Sequence, residues 1–277
     1  MTEADIISKT QLPRTRKSLT QDLINAGLTP GITIIVHSSL SSLGWVSGGA
    51  VTVVQALMDI ISPSGTLVMP THNSDYSDPE PWQNPAVPAE WWQIIRDTMP
   101  AYDAKITPTR QMGKIVEVFR TYENVLRSSH PSFSFAAWGN HAKTIIKNHS
   151  LNYSLGEESP LARLYDLNGY VLLLGTQYDT CTIFHLAEYR IGNIKIINYA
   201  APILEAGKRV WKIYQDIDFD TDCFINMGKD FEKAGYVKVS QVGSAKTKLF
   251  SVRDAVDFAV SWLREKEKGS SVQVNPN

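Results

Sequence analysis

The sequence has few cysteines, no long apolar run and no excess of either charge. Only Cys181 and Cys223 occur among 277 residues, too few for the disulfide framework of a small secreted domain. The longest apolar stretches, residues 32–36 and 170–174, are strand-sized and far short of the roughly 20 residues that cross a bilayer. The start, Met1-Thr2-Glu3-Ala4-Asp5, is acidic and lacks the apolar segment of a signal peptide. Lys and Arg total 27 against 28 Asp and Glu, so the basic excess of a dedicated nucleic-acid binder is missing. These absences predict a cytoplasmic, reduced protein with neither a membrane nor a nucleic-acid partner.

What is present is an ordinary globular mix, 43% hydrophobic and 20% charged, on a chain long enough to bury a large core. Residues 17–28 read as a helix that Thr29-Pro30-Gly31 ends. The β-branched run 32–37 reads as a buried strand. Residues 38–49, rich in Ser and Gly, form a loop. Val51, Val54, Leu57, Met58 and Ile61 then recur at helical spacing over 50–61, and 66–69 is a second strand. This order is that of a parallel βαβ unit. Its loop leaves the carboxyl end of the first strand, where open α/β sheets bind ligands.

Residues 72–110 form an irregular insertion holding Pro79, Pro81, Pro85, Pro88, Pro100 and Pro108 with Tyr76, Trp82, Trp91, Trp92 and Tyr102. Its aromatics predict a packed, functional excursion. Helices are expected at 112–122, at 140–148 with Asn140 as cap, and at 159–166, 182–190, 223–234 and 251–266. Strands are expected at 133–138, 170–174, 236–242 and 246–250. A hairpin spans 194–203 and 209–214 around Glu205-Ala206-Gly207-Lys208. No linker divides the chain. The expected fold is α/β: a single domain over 1–267, a mixed sheet sandwiched by helices on its faces, with a polar, frayed tail at 268–277.

Residues 175–190, GTQYDTCTIFHLAEYR, run from the most apolar strand through a loop into a helix. His185 and Glu188 lie one turn apart on one face. A carboxylate beside an imidazole orients the ring and favours its charged form, which is what a general base needs. Asp179, Thr180 and Thr182 add polar groups to the same rim. An ordinary charged helix face has the same spacing, so the weight comes from position after the strand. The segment VHSSLSSLGWVSGG, from Val36, leads a Ser/Gly-rich loop into a helix start, a natural anion site. It has neither P-loop nor dinucleotide spacing, and a plain capping loop has the same composition. Arg110 precedes a helix and suits phosphate; Arg127, Ser129 and His130 equally suit a turn. Asp75, Asp78 and Glu80 among Tyr76 and Trp82 suit a cationic, sugar-like ligand, or an ordinary loop with Asx turns.

Together these segments resemble the aminoglycoside 3-N-acetyltransferase (antibiotic N-acetyltransferase) family over residues 20–266. The resemblance rests on VHSSLSSLGWVSGG, GTLVMPTHNSDYSDP, TRQMGKIVEVFR, RSSHPSFSFAAWG and CTIFHLAEYR in that order. It implies an α/β fold distinct from the commoner N-acetyltransferase superfamily, whose Gln/Arg-x-x-Gly-x-Gly/Ala turn is absent here. It implies transfer of acetyl from acetyl-CoA to the 3-amino group of a 2-deoxystreptamine aminoglycoside, hence antibiotic resistance. His185 would be the catalytic base and Glu188 its partner. His37, Ser38, Ser39, Leu40, Ser42, Leu43, Gly44, Arg110, Ser129 and His130 would lie on the coenzyme A side. Asp75, Tyr76 and Asp179, with Glu188, would lie on the acceptor side. No metal is expected, and apolar surface on the insertion is compatible with a homodimer.

Alternatives stay open at this point. They are the same chemistry on a different cellular amine, an acyl-enzyme on Cys181, four residues before His185, a metallohydrolase using His37, His72 and His185, and a binding module without catalysis. The near-zero net charge suits one polyanionic and one polycationic ligand, provided that Arg110 is set apart from Asp75, Asp179 and Glu188.

Overall fold

The computed structural model describes residues 2–192 and 194–271. Along the chain run α1 (Glu3–Ser8), α2 (Arg16–Ala26), β1 (Thr33–Ser38), α3 (Gly49–Ile61), β2 (Thr66–Pro70), α4 (Trp92–Thr98), α5 (Lys114–Phe119), β3 (Leu126–Arg127), β4 (Phe135–Gly139), α6 (Ala142–Ile146), α7 (Pro160–Asp166), β5 (Tyr170–Leu174), α8 (Phe184–Ile191), β6 (Ile196–Glu205), β7 (Lys208–Ile217), α9 (Phe224–Lys233), β8 (Lys238–Val242), β9 (Ala245–Ser251) and α10 (Val252–Ser271).

Local chemistry explains several boundaries. Thr15 and Ser18 form a capping box at the start of α2, and Gly27 ends it in the left-handed region. Ser159 caps α7 with Pro160 at its first position. Seven strands form one mixed sheet in the order β3-β4-β2-β1-β5-β9-β8. β1 pairs parallel with β2 and β5; the outer pairings are antiparallel. Alternate strand residues feed two buried cores. Ile34, Val36, Leu172 and Leu174 pack with α2, α3 and α5. Ile35, Val68, Val171 and Leu173 pack with α7, α8, α9 and α10. Helices thus cover both faces of the sheet, as the sequence led us to expect.

β6 and β7 form a separate hairpin. A fully buried carboxylate, Asp216, ties it down. Asp216 accepts the Ser154 and Tyr189 hydroxyls and the Ser154 and Ile217 amides, the last two at 3.0 and 2.9 Å. Tyr214 and Ser132 share a further bond of 3.1 Å between hydroxyls.

Some details differ from the sequence reading. The insertion is partly helical, since α4 lies within it. Arg127 pins it to the sheet by donating to the Thr71 and Thr107 carbonyls at 2.8 and 2.5 Å. α6 starts at Ala142 with His141, not Asn140, as its N-cap residue, and the Asn140 amide instead donates to the Gly65 carbonyl just before β2, 2.8 Å away. α10 continues to Ser271, so the expected tail begins inside a helix; residues 272–277 lie outside the described residues. Among the described residues no helix is long and apolar enough to cross a membrane.

One close approach fixes the loop after β5. Tyr178 is buried against α9 and donates its hydroxyl to Glu232 at 2.9 Å. A Cβ on Gly228 would fall 2.0 Å from the Tyr178 ring. Gly228→Ala is therefore expected to destabilise the fold by roughly 1–3 kcal/mol or more, as overpacking does. A urea midpoint unchanged from wild type would contradict this packing.

Candidate active site

The carboxyl ends of β2, β1 and β5 lie side by side, and a cavity of about 310 Å³ opens above them. β1 contributes His37 and Ser38. β2 and the residues after it contribute Pro70 and His72. The loop after β5 supplies Thr176, Asp179, Thr180 and Thr182, and the first turn of α8 supplies His185. The chain leaves β5 at Gly175, at φ +75°, where a Cβ would lie 2.6 Å from Cβ of Ser42. Only glycine permits that turn against the neighbouring loop.

His185 Nδ1 lies 2.5 Å from Glu188 Oε2. The two side chains are 12% and 11% exposed, so water screens their contact poorly. The Asp220 amide donates to the other Glu188 oxygen at 3.4 Å. Phe219 and Phe224 flank the imidazole, each with its centroid 4.9 Å away. With Nδ1 engaged by the carboxylate, Nε2 is left for a ligand.

Buried polar atoms without partners are rare in folded proteins. Eight such side-chain atoms occur among the described residues. Four of them line this one cavity: His37 Nε2, Ser38 Oγ, His72 Nε2 and Thr176 Oγ1. Each polar group left unmet costs about 1–3 kcal/mol, so these four atoms favour a polar occupant of the cavity. Burial pushes His37 and His72 down to about 3, leaving both rings uncharged near neutral pH.

A larger cleft of about 1150 Å³ adjoins it. The two share His72, Gln111, Met112 and Phe133. Tyr199, Trp211 and Arg209 of the hairpin wall the cleft, as do Asp78, Glu80, Arg96 and Asp97 of the insertion. Arg96 holds Asp78 and Glu80 in ion pairs of 2.8 and 3.1 Å.

The structure gathers His37, Ser38, Asp179 and His185, with Glu188 behind the ring, and corrects several other expectations. Arg110 and Asp75 are not set apart: they form an ion pair of 2.8 Å. Asp75 lines neither cavity, because Asn73 turns its backbone through an Asx bond of 2.7 Å. Tyr76 likewise packs edge-on to Tyr102. His130 is buried, and both ring nitrogens are spent on backbone. Nδ1 accepts the Ser132 and Phe133 amides, and Nε2 donates to Leu151 at 3.2 Å. Its side chain therefore packs the structure and is closed to a cofactor. Ser129 is exposed away from both cavities. Leu43 lies in the core and Leu40 packs against it. The Ser42 hydroxyl donates to the Gly175 carbonyl at 3.1 Å and shares a contact of 2.8 Å with the Ser39 hydroxyl, while Gly44 supplies a positive φ beside Ser244. These loop residues do not line the His185 cavity.

Sequence reasoning overlooked Thr176, Gln111, Met112 and Phe133 as lining residues. It placed His72 only in a metal alternative. Thr176 and His72 follow strand ends and Phe133 precedes one, which is their one sequence signal, whereas Gln111 and Met112 lie just before α5 and have none. Among the described residues no group of three His, Cys, Asp or Glu side chains converges as metal ligands would.

A carboxylate-backed imidazole at the strand ends of a parallel βαβ core is an arrangement able to take a proton from a bound ligand. The chain belongs to the aminoglycoside 3-N-acetyltransferase family, whose model matches residues 35–264. It is 54% identical to the SPbeta prophage-derived aminoglycoside N(3')-acetyltransferase-like protein YokD of Bacillus subtilis (strain 168), over 93% of this chain and 95% of that one. The crystal structure of YokD superposes with a TM-score of 0.95, covering 96% of this chain and 98% of that chain. AAC-IIIb in binary complex with CoASH matches at a TM-score of 0.83 and 30% identity, over 92% and 98% of the two chains. AAC-VIa bound to sisomicin matches at 0.82 and 29%, over 92% and 99%.

Two expectations follow. Cys181 is fully buried, and burial pushes its thiol far above the ordinary range, so it holds no thiolate for attack. Cys181→Ala is expected to keep turnover within a few-fold of wild type; loss of activity, with an acetyl group trapped on Cys181 in the native enzyme, would contradict this. His37, His72, His130 and His149 are held neutral, with values lowered by burial from 6.5 to about 3 for the first two and about 4 for His149. As pH falls below 6.5 the unfolded chain takes up these protons first, so stability falls with pH through that window. The melting temperature should drop steeply from pH 6.5 to pH 4, and a flat profile there would contradict it.

Proposed function

We propose that this chain transfers acetyl from acetyl-CoA to the 3-amino group of a 2-deoxystreptamine aminoglycoside, with His185 as general base. The observation that carries it is the 2.5 Å contact between His185 and Glu188 at a cavity edged with partnerless polar atoms. The CoASH-bound and sisomicin-bound relatives support the two ligand classes.

An ammonium has no lone pair and must shed a proton before it attacks. Glu188 accepts Nδ1–H and orients the ring, so Nε2 takes that proton directly or through one water. The amine nitrogen bonds to the acetyl carbon and sheds a second proton, the carbon–sulfur bond breaks, and the sulfur leaves with the electron pair and takes up one proton while the other passes from His185 to water. The partnerless Ser38 and Thr176 hydroxyls of the same cavity support a role as donors to the oxygen that gains charge on the way. Both substrates are held together, so no acyl-enzyme forms. The larger cleft, with Asp97 and the Trp211 and Tyr199 rings, suits the body of a cationic sugar. A smaller cellular amine is the second reading. It is favoured by the arginine pairing of Asp75, Asp78 and Glu80, which leaves less free negative charge for a polycation.

Thiol release from acetyl-CoA, followed with aminoglycosides that carry a free or a blocked 3-amino group, separates these readings. Only the free amines are expected to react; equal rates on blocked compounds would remove the regiochemistry. His185→Ala is expected to lower kcat about 100- to 10,000-fold with coenzyme A affinity retained. Wild-type turnover by that variant would overturn the base assignment.

A further inference from the structure

His72 stands where the two cavities meet, and nothing in the mechanism above uses it. It follows β2, and the backbone on either side is clamped. The Thr71 amide donates to Ser134 and the Asn73 amide to Ser132, both at 2.8 Å, while the His72 carbonyl accepts the Arg110 amide at 2.9 Å. The imidazole is wedged edge-on against Phe133 and Phe135, with centroids 5.3 and 5.2 Å away. Backbone and rotamer are thus both fixed, yet Nε2 is buried and meets no partner. A wholly structural histidine at such a place bonds its surroundings, as His130 and His149 do.

The four residues common to both cavities narrow the role. Met112 and Phe133 are apolar, and Gln111 is solvent-exposed, where water competes for its amide. His72 is the desolvated polar group of the four. His37, Ser38 and Thr176 reach only the smaller cavity, so their partners belong to the thioester side. His72 also faces the larger cleft, so its partner belongs to the acceptor.

We propose that His72 Nε2 hydrogen-bonds the acceptor beside its reacting amine, and so selects amines that carry a neighbouring hydroxyl or ether oxygen. A hydroxyl satisfies Nε2 in either tautomer. Because burial keeps the ring uncharged, it neither repels an ammonium nor competes with His185 for the proton. The inference rests on reading the His185 cavity as the site of transfer and the larger cleft as the seat of the acceptor.

The test compares His72→Phe, which keeps an aromatic ring and removes the polar atom, with His72→Gln, which restores a hydrogen-bonding group. The probes are acetyl-CoA and sisomicin, with sisomicin affinity measured in parallel by calorimetry. Removing one bond to a ligand from a desolvated site is expected to lower kcat/KM and affinity for sisomicin about tenfold in H72F. H72Q should recover most of that loss, and the KM for acetyl-CoA should stay put. The ligand-free melting temperature of H72F should match or exceed that of wild type, because an unmet polar atom has been removed. H72F with wild-type sisomicin kinetics and affinity would overturn the proposal. So would a fall in its melting temperature with no rescue by Gln, which marks a structural role, or an equal loss toward acetyl-CoA. His185→Ala, run beside them, tests the other reading: if it keeps full turnover the base assignment fails, while the H72F and H72Q affinities still decide the role of His72.

Discussion

A reactive cavity needs polar groups to converge where no strand continues through, and in this chain that place is the common carboxyl edge of β2, β1 and β5. Parallel pairing makes the three strands point one way, so the segments after them emerge together. His37 and Ser38 end one strand, His72 follows another, and the Thr176–His185 stretch follows the third. The antiparallel β4 runs the other way, so the segment entering it, with Phe133, reaches the same edge. The rest of the site depends on that choice of strand direction, because the three segments are far apart in sequence.

The arrangement is costly to the free protein. Four polar atoms at the cavity have no partner, two of them on histidines that burial holds neutral. Two packed cores stabilise a structure that carries these unmet groups. Glu188 is the counterexample that shows what satisfaction looks like: both carboxylate oxygens have donors, and the result is a fixed ring at His185. Asp216 plays the same part for the hairpin, where a buried carboxylate surrounded by donors holds the wall of the larger cleft. Rigid, satisfied carboxylates thus frame a cavity whose own polar atoms are left open.

Much of this was legible in the sequence. The βαβ order, the helix over 50–61 and the strand 170–174 announced themselves by periodicity, because they bury regular faces. His185 and Glu188 were legible because helical spacing alone places them together. What was hidden needed three dimensions. Arg110 and Asp75 were assigned to opposite ligands by type, but the insertion folds back and joins them. His130 looked available because nothing in its neighbours shows that backbone from two segments would claim both nitrogens. α4 was masked by the prolines around it. Thr176 and His72 carry their meaning only in what they fail to touch, and an unmet hydrogen bond is invisible until the fold closes around it.

The most direct measurement is a crystal structure of the ternary complex, with sisomicin and a non-reactive thioether analogue of acetyl-CoA. The account predicts that the group standing for the acetyl carbon lies in the 310 Å³ cavity. The 3-amino nitrogen should approach it at about 3–3.5 Å, within hydrogen-bond reach of His185 Nε2, directly or through one water. Density placing the analogue's reactive end outside that cavity, or another amino group at the carbon, would contradict the account.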